Sequence, residues 1–159
     1  MDKNLIIIPT YNEALNILNV IKKILHLHKN CDLLIIDDNS PDGTSEIVEK
    51  LRLKNIFLIK RKNKQGIGSA HKTGLKWAYK KNYEKIVTMD ADGTHNPKYI
   101  KTLLNVSINA DLVVTNRFLK KKINQHLANS QNFNHKHKTF SYKNITRYFL
   151  RCIWCLQML

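Results

Sequence analysis

Acidic side chains run out early in this chain: none follows Asp111. Over all 159 residues Asp and Glu number 12 against 27 Lys and Arg, a formal charge of +15. The tail instead carries Lys120, Lys121, Lys122, Lys136, Lys138, Lys143, Arg147 and Arg151. Cations without anions are drawn to nucleic acid, an anionic membrane face or a phosphorylated substrate, and charge does not choose among them. Cysteine is scarce as well. Cys31, Cys152 and Cys155 build no disulfide framework, which points to a reducing compartment. Cys152 and Cys155 have the spacing of a redox or zinc pair, but no second ligand pair accompanies them; they read as cysteines on an apolar helix face. Long apolar runs are missing too. Residues 5–8 are too few for a secretory leader and meet Pro9 at once, and no stretch approaches the roughly 20 residues of a spanning helix. The expected relation to a membrane is peripheral, lying on it or bound to a spanning partner.

An apolar content of 43% suffices for one packed core. Strand signals fall at 5–8, 33–36, 56–59, 86–89 and 112–115, and helical signals at 13–27, 44–53, 70–81 and 97–106. Short all-apolar strands between helices predict an α/β fold over residues 1–118: a doubly wound, Rossmann-like, mostly parallel sheet with helices on both faces. Residues 119–141 turn to Lys, Asn, Gln and His without a strand period and read as a basic polar loop, mobile or disordered. His126, His135 and His137 within it lack the fixed spacing of a metal set. Over 142–159 apolar residues recur at helical intervals among Lys143, Arg147 and Arg151. That pattern predicts a basic amphipathic helix, suited to a membrane interface or to packing on the domain.

Two acidic clusters stand at the carboxyl ends of apolar strands: Asp37-Asp38 after Leu33-Leu34-Ile35-Ile36, and Asp90-Ala91-Asp92 after Ile86-Val87-Thr88-Met89. An open α/β sheet builds its ligand crevice at those ends. Asp90 and Asp92 share one strand face, and their repulsion favours a hard divalent cation that keeps positions for phosphate oxygens. Asp37 and Asp38 point to opposite faces, so only one of them is expected to reach a ligand. In Pro9-Thr10-Tyr11-Asn12-Glu13, Pro9 is expected to stop the first strand and the next helix to aim its N-terminus at the crevice. Tyr11 then offers a ring for a nucleobase and Glu13 a carboxylate for base or ribose; a plain helix start capped by Asn12 or Thr10 is the alternative. Lys60, Arg61, Lys62 and Lys64 precede Gly66-Ile67-Gly68, a backbone suited to phosphate, with Lys64 or Arg61 adding charge. No Gly-Lys-Ser/Thr follows these glycines, which excludes a Walker loop. The first βα turn lacks a glycine fingerprint, which argues against a dehydrogenase. No nucleic-acid-binding motif appears beyond the charge itself, so nucleic acid is not an expected partner.

IIIPTYNE, IIDDNSPDGT, KQGIGSAHKTG and MDADGTHNP, in this order and spacing, resemble the family 2 glycosyltransferases, and among them most of all the dolichyl-phosphate mannosyltransferases. The resemblance runs nearly continuously over residues 4–117. It implies a GT-A fold, a GDP-mannose donor bound with Mg²⁺ or Mn²⁺, dolichyl phosphate as acceptor, and inversion at the anomeric carbon. It implies that Pro9, Tyr11, Glu13, Ile36 and Asp38 line the nucleotide pocket. Asp90, Ala91 and Asp92 match the family's DxD element, with Asp92 the metal ligand and Asp90 nearer the ribose or diphosphate. Thr94 stands where some members place a glutamine near the metal. Arg117 matches the arginine that holds the acceptor phosphate and is, with Asp92, the implied catalytic residue. The segment around Lys143 and Arg147 faintly resembles the family's basic acceptor helix. The resemblance also implies work on the cytosolic face of the endoplasmic reticulum, or on the cytoplasmic membrane of a prokaryote, with small membrane-spanning subunits as further partners. Two other readings stay open. One is a UDP-sugar donor with another polyprenyl phosphate or glycan acceptor, because a DxD element specifies neither base nor sugar. The other is an inactive, truncated basic fragment that binds nucleotide or anionic membrane, since the match fades past Arg117 and the chain stops where family members continue.

Overall fold

The computed structural model describes residues 3–109 and 112–113. The chain divides after Leu104 into two units, and the sheet with its loops belongs to the first. The expectations for residues 119–141 and 142–159, and for Arg117, Lys143 and Arg147, lie outside the described residues.

In β1 (Asn4–Thr10), Leu5, Ile6, Ile7 and Ile8 are all fully buried. A strand whose side chains alternate between two faces can bury both only if protein covers each. That requirement is met by a clean division. Leu5, Ile7, Leu34 and Ile36 pack with Ala70 and Ala78 of α3 (Ile67–Lys80). Ile6, Ile8, Leu33 and Ile35 pack with Ile17, Val20, Ile21 and Ile24 of α1 (Ile17–Leu27), with Val48 of α2 (Thr44–Lys50) and with Ile100 of α4 (Ile100–Val106). Among the described residues, β2 (Cys31–Asp37), β3 (Ile56–Lys60) and β4 (Lys85–Thr88) join β1 in a sheet of order β3-β2-β1-β4 with every pair parallel. The order reverses direction between β1 and β4, which is the switch point where such sheets open a crevice. Of the described helices, α1, α2 and α4 cover one face of the sheet and α3 covers the other.

Several boundaries differ from the sequence expectation, each for a physical reason. Pro9 does not stop β1, which runs through it to Thr10 and pairs Pro9 with Ile36. The Ile7 carbonyl accepts from Met89 N on the β4 side, and the Thr10 carbonyl accepts from Asp38 N on the β2 side. Alternation thus puts the donor that Pro9 lacks toward β4, beyond the last β1–β4 pair, Ile7 with Thr88. α1 starts at Ile17, not at residue 13, with Asn16 rather than Asn12 or Thr10 at its N-cap. Of the strand expected at 112–115, residues 112 and 113 carry no regular structure. α3 lies unusually close to the sheet because Gly74 has no side chain: a Cβ there would stand 2.8 Å from Ile36 Cδ1 and 2.9 Å from Ile7 Cγ2. Trp77 meets Phe57 at a tilt and stacks on Tyr83, and Tyr83 Oη donates to Asp32 Oδ2 at 2.6 Å, tying the α3–β4 connection to the start of β2.

His71 sits buried on α3, and desolvation pulls its imidazole from the ordinary 6.5 down to about 4. Between those values the unfolded chain binds more protons than the folded one. Stability from this residue is therefore complete above pH 6.5 and falls as pH drops toward 4, by on the order of 3 kcal/mol. Urea unfolding at pH 7 and pH 4.5 should show the decline, and His71→Gln should flatten it; a decline of unchanged steepness in the variant would contradict this assignment.

Candidate functional site

Because all four strands are parallel, their exits open at one edge, and the site is built from the loops beyond those exits. At the end of β2 the two consecutive carboxylates go to different neighbours. Asp37 is fully buried; its Oδ1 accepts from Thr10 Oγ1 at 2.9 Å and Ser40 Oγ at 2.6 Å, and its Oδ2 from Ser40 N at 2.9 Å. Asp38 turns toward the loop after β3. Its Oδ2 accepts from Gln65 N at 3.1 Å and Gly66 N at 3.0 Å, and its Oδ1 meets the Arg61 guanidinium in an ion pair whose side chains are 6% and 5% exposed. Arg61 closes the knot by donating from Nη1 to Ser69 Oγ at 2.8 Å and from Nη2 to the Gly66 carbonyl at 3.1 Å. Gly66 adopts φ 84°, ψ 158°, a conformation open essentially to glycine alone, and leads directly into α3. Of the four cations read in this loop, Arg61 is thus spent on Asp38, and Lys60 reaches back to Glu46 and Glu49 of α2 at 3.2 and 3.1 Å. Lys64 stands 3.7 Å over the ring of Tyr11, so two residues from different loops, both expected at the nucleotide, are in contact.

The loop after β1 does not present a free helix N-terminus to the crevice as the sequence implied. Its amides are taken by the turn after β2: Asn12 N donates to Ser40 Oγ at 3.0 Å, Glu13 N to Thr44 Oγ1 at 2.9 Å and Ala14 N to Asp42 Oδ2 at 2.9 Å. Partial burial pulls the Asp42 carboxyl up, but the hydrogen bonds from Thr44 and Ala14 outweigh it and leave the group below its ordinary value. Asn12 and Asn39, at the exits of β1 and β2, both take positive φ, 60° and 59°, a region asparagine tolerates. Glu13 accepts from Asn16 Nδ2 at 2.9 Å, Pro9 is half-buried, and Ile36 lies wholly beneath α3.

β4 ends at Thr88, so Asp90 and Asp92 stand on the loop beyond it rather than on one strand face as the sequence implied, yet burial still alternates there. Ala91 is buried in the apolar layer, while its neighbours Asp90 and Asp92 reach solvent. Asp92 Oδ1 accepts from Thr94 N at 2.9 Å and Thr94 Oγ1 at 2.7 Å across Gly93, whose φ is 81°. Asp90 N donates to His95 Nδ1 at 3.0 Å. Asn96 caps the 3₁₀ turn Pro97–Tyr99 through Lys98 N, and the Pro97 carbonyl accepts from His28 Nε2 at 2.8 Å. His95 and His28 were not singled out in the sequence; a histidine closing an irregular turn belongs to no helical or strand period. Among the described residues no three His, Cys, Asp or Glu side chains converge to form an all-protein metal cage. Two carboxylates and a hydroxyl on one exposed turn are an all-oxygen donor set, which fits a hard cation that completes its shell with phosphate oxygens.

Breaking a buried ion pair strands a charge and costs about 3–5 kcal/mol, whereas removing both partners costs far less than the sum. Asp38→Ala and Arg61→Ala should each lose stability on that scale in denaturant unfolding. The double variant should recover much of it, and simple additivity of the two losses would refute the pairing.

Residues 5–156 match the family described as Glycosyl transferase family 2. The polyprenol monophosphomannose synthase of Mycolicibacterium smegmatis is 36% identical over 121 residues, which cover 74% of this chain and 46% of that protein. The UDP-N-acetylglucosamine–dolichyl-phosphate N-acetylglucosaminyltransferase of Methanococcus voltae is 35% identical over 118 residues, 65% of this chain and 47% of that one. The chain spans about half the length of the curated relatives it matches. Among solved structures, a mannosyltransferase of Pyrobaculum calidifontis in complex with GDP-mannose and Mn²⁺ is similar with a TM-score of 0.56 at 25% identity, over 70% of this chain and 33% of that one. With a GT-A-like sheet, the ordered loops at its carboxyl edge and a family match over most of its length, the chain belongs to glycosyl transferase family 2.

Proposed function

We propose that this chain serves the transfer of mannose from GDP-mannose to dolichyl phosphate, with inversion and with Mg²⁺ or Mn²⁺. The observation that carries the reading is the meeting of two features at the switch point. The oxygen-only Asp90–Thr94 turn leaves β4 next to the exit of β1, and the Tyr11–Lys64 contact lies between the loops after β1 and β3. Tyr11 stacks on the base, Glu13 faces base or ribose, and Lys64 adds charge at the phosphates. Asp92 and Thr94 would hold the cation, which when bound neutralises charge on the departing diphosphate. Asp90 lies nearer the ribose or diphosphate. Pro9, Ile36, Asp38 and Ala91 shape the pocket, Asp38 by fixing the 61–66 loop. Arg117, with Lys143 and Arg147 as further cations, receives the acceptor phosphate.

A phosphate acceptor is already anionic. Its oxygen attacks the anomeric carbon, the bond from that carbon to the diphosphate oxygen breaks, and the electron pair leaves with GDP, so no general base is required. The lipid acceptor places the reaction at a membrane surface, in a eukaryote the cytosolic face of the endoplasmic reticulum, where small spanning subunits can anchor it. Among the described residues no helix is long and apolar enough to cross a membrane. A second reading, a UDP-sugar donor, is favoured by the relative from Methanococcus voltae, whose name specifies one.

The test is transfer of labelled mannose from GDP-mannose to dolichyl phosphate in detergent, beside a melting panel of GDP, UDP and GDP-mannose with and without Mn²⁺. GDP-selective, metal-dependent stabilisation is expected; UDP-selective stabilisation would replace this reading with the second. Asp92→Ala should abolish transfer. Asp92→Asn, which keeps the oxygen that Thr94 donates to but removes the charge, should lower transfer by roughly 100-fold or more with the fold retained. Undiminished turnover in Asp92→Ala at saturating metal and donor would overturn the assignment.

A further inference from the structure

We propose that His95 is a positioning residue, whose Nδ1 lone pair holds the Asp90 amide and thereby keeps the Asp90 and Asp92 carboxylates on the solvent side for a cation-bound nucleoside diphosphate. The proposal rests on the function proposed above and deepens it at one atom. Met89 N donates to Ile7 O, so the next amide, Asp90 N, faces away from β1. On that side the described sheet has no further strand, because β4 is its edge. A backbone donor there needs an acceptor or water. His95 Nδ1 supplies one at 3.0 Å and closes the turn from Asp90 to His95 back on its start.

This bond dictates the tautomer. An amide can only donate, so Nδ1 must accept, and the neutral ring carries its proton on Nε2. The 3.8 Å between Nδ1 and Asp90 Oδ2 is then a lone pair facing a carboxylate, which favours an Asp90 side chain turned outward; that side chain is 42% exposed. Inside the turn Asp92 is held by Thr94, and at its far end Pro97 is held by His28 from the end of α1. His95 thus registers the whole turn on the strand from which the two carboxylates diverge. Groups that orient the residues around a metal typically change its affinity 10- to 100-fold when removed.

Three variants separate this role from simple packing. His95→Asn keeps an acceptor oxygen near the position of Nδ1, His95→Gln moves it one bond outward, and His95→Ala removes it. In the full chain at neutral pH, side-chain ¹⁵N spectra should show Nδ1 of His95 unprotonated and Nε2 protonated. In Mn²⁺ titrations of GDP-dependent stabilisation, His95→Ala and His95→Gln should shift the half-point roughly 10-fold upward, and His95→Asn should stay within about 3-fold of the natural chain. A residue that only supports the fold would change the melting temperature of the ligand-free chain while leaving the metal titration in place. An Nδ1-protonated ring, or titrations in which Asn and Ala behave alike, would overturn the proposal. If the natural chain shows no metal-dependent nucleotide effect, the proposed function fails instead, and the ¹⁵N tautomer alone decides whether Nδ1 holds the Asp90 amide.

Discussion

Two consecutive buried carboxylates at the end of β2 hold the edge of this domain together. Successive residues of a strand face opposite ways, so Asp37 and Asp38 pull on different neighbours: Asp37 on Thr10 at the end of β1, Asp38 on the loop after β3. Burying a carboxylate is costly unless charge and hydrogen bonds replace water. Here the replacement is thorough. Asp37 receives two hydroxyls and an amide, and Asp38 receives two amides and a guanidinium. The loops that would meet a ligand are thereby set by the strand between them, before any ligand arrives.

The consequences spread along the edge. Arg61, drawn inward, anchors Gly66 and Ser69 and so fixes where α3 begins. The turn after β2 supplies Ser40, Asp42 and Thr44 to the amides of the loop after β1, which leaves the Tyr11 ring outward where Lys64 covers it. Of the described strands, only β4 lies on the other side of the switch point, and its exit is organised separately, by Asp92 with Thr94 and by His95 with the Asp90 amide. A rigid, side-chain-capped half thus faces an exposed acidic turn. That asymmetry suits a ligand with an aromatic base at one end and a metal-bound diphosphate at the other, the chemical form of the donors named for its relatives.

The charge of the chain fits the same picture from a distance. The proposed transfer would bring together two polyanions, a nucleotide-sugar and a lipid phosphate, and a chain of +15 would lower the cost of that approach. Within the described site the cations are fewer than the sequence promises, since Arg61 and Lys60 are both paired. Lys64 is placed against the aromatic ring of Tyr11 instead.

The sequence by itself determined the layers of this fold and the sheet edge at which its carboxylates gather. All-apolar strands read as buried on both faces, and the carboxylates at their ends read as crevice residues, because side-chain alternation and strand polarity are local properties of the chain. Ala91 buried between two outward aspartates follows from the same rule. What tertiary structure alone decided was which polar groups are spent and which remain. Pro9 is tolerated inside β1 because β4 has already ended beside it, and the amides expected to greet a ligand are capped by residues 28 to 31 positions away. Arg61 is consumed by Asp38, and His95 is recruited to an amide that the sheet edge leaves open. Those outcomes depend on which strands become neighbours and where each one stops. No local pattern carries that information, since a hydrogen bond between distant loops leaves no period in the sequence.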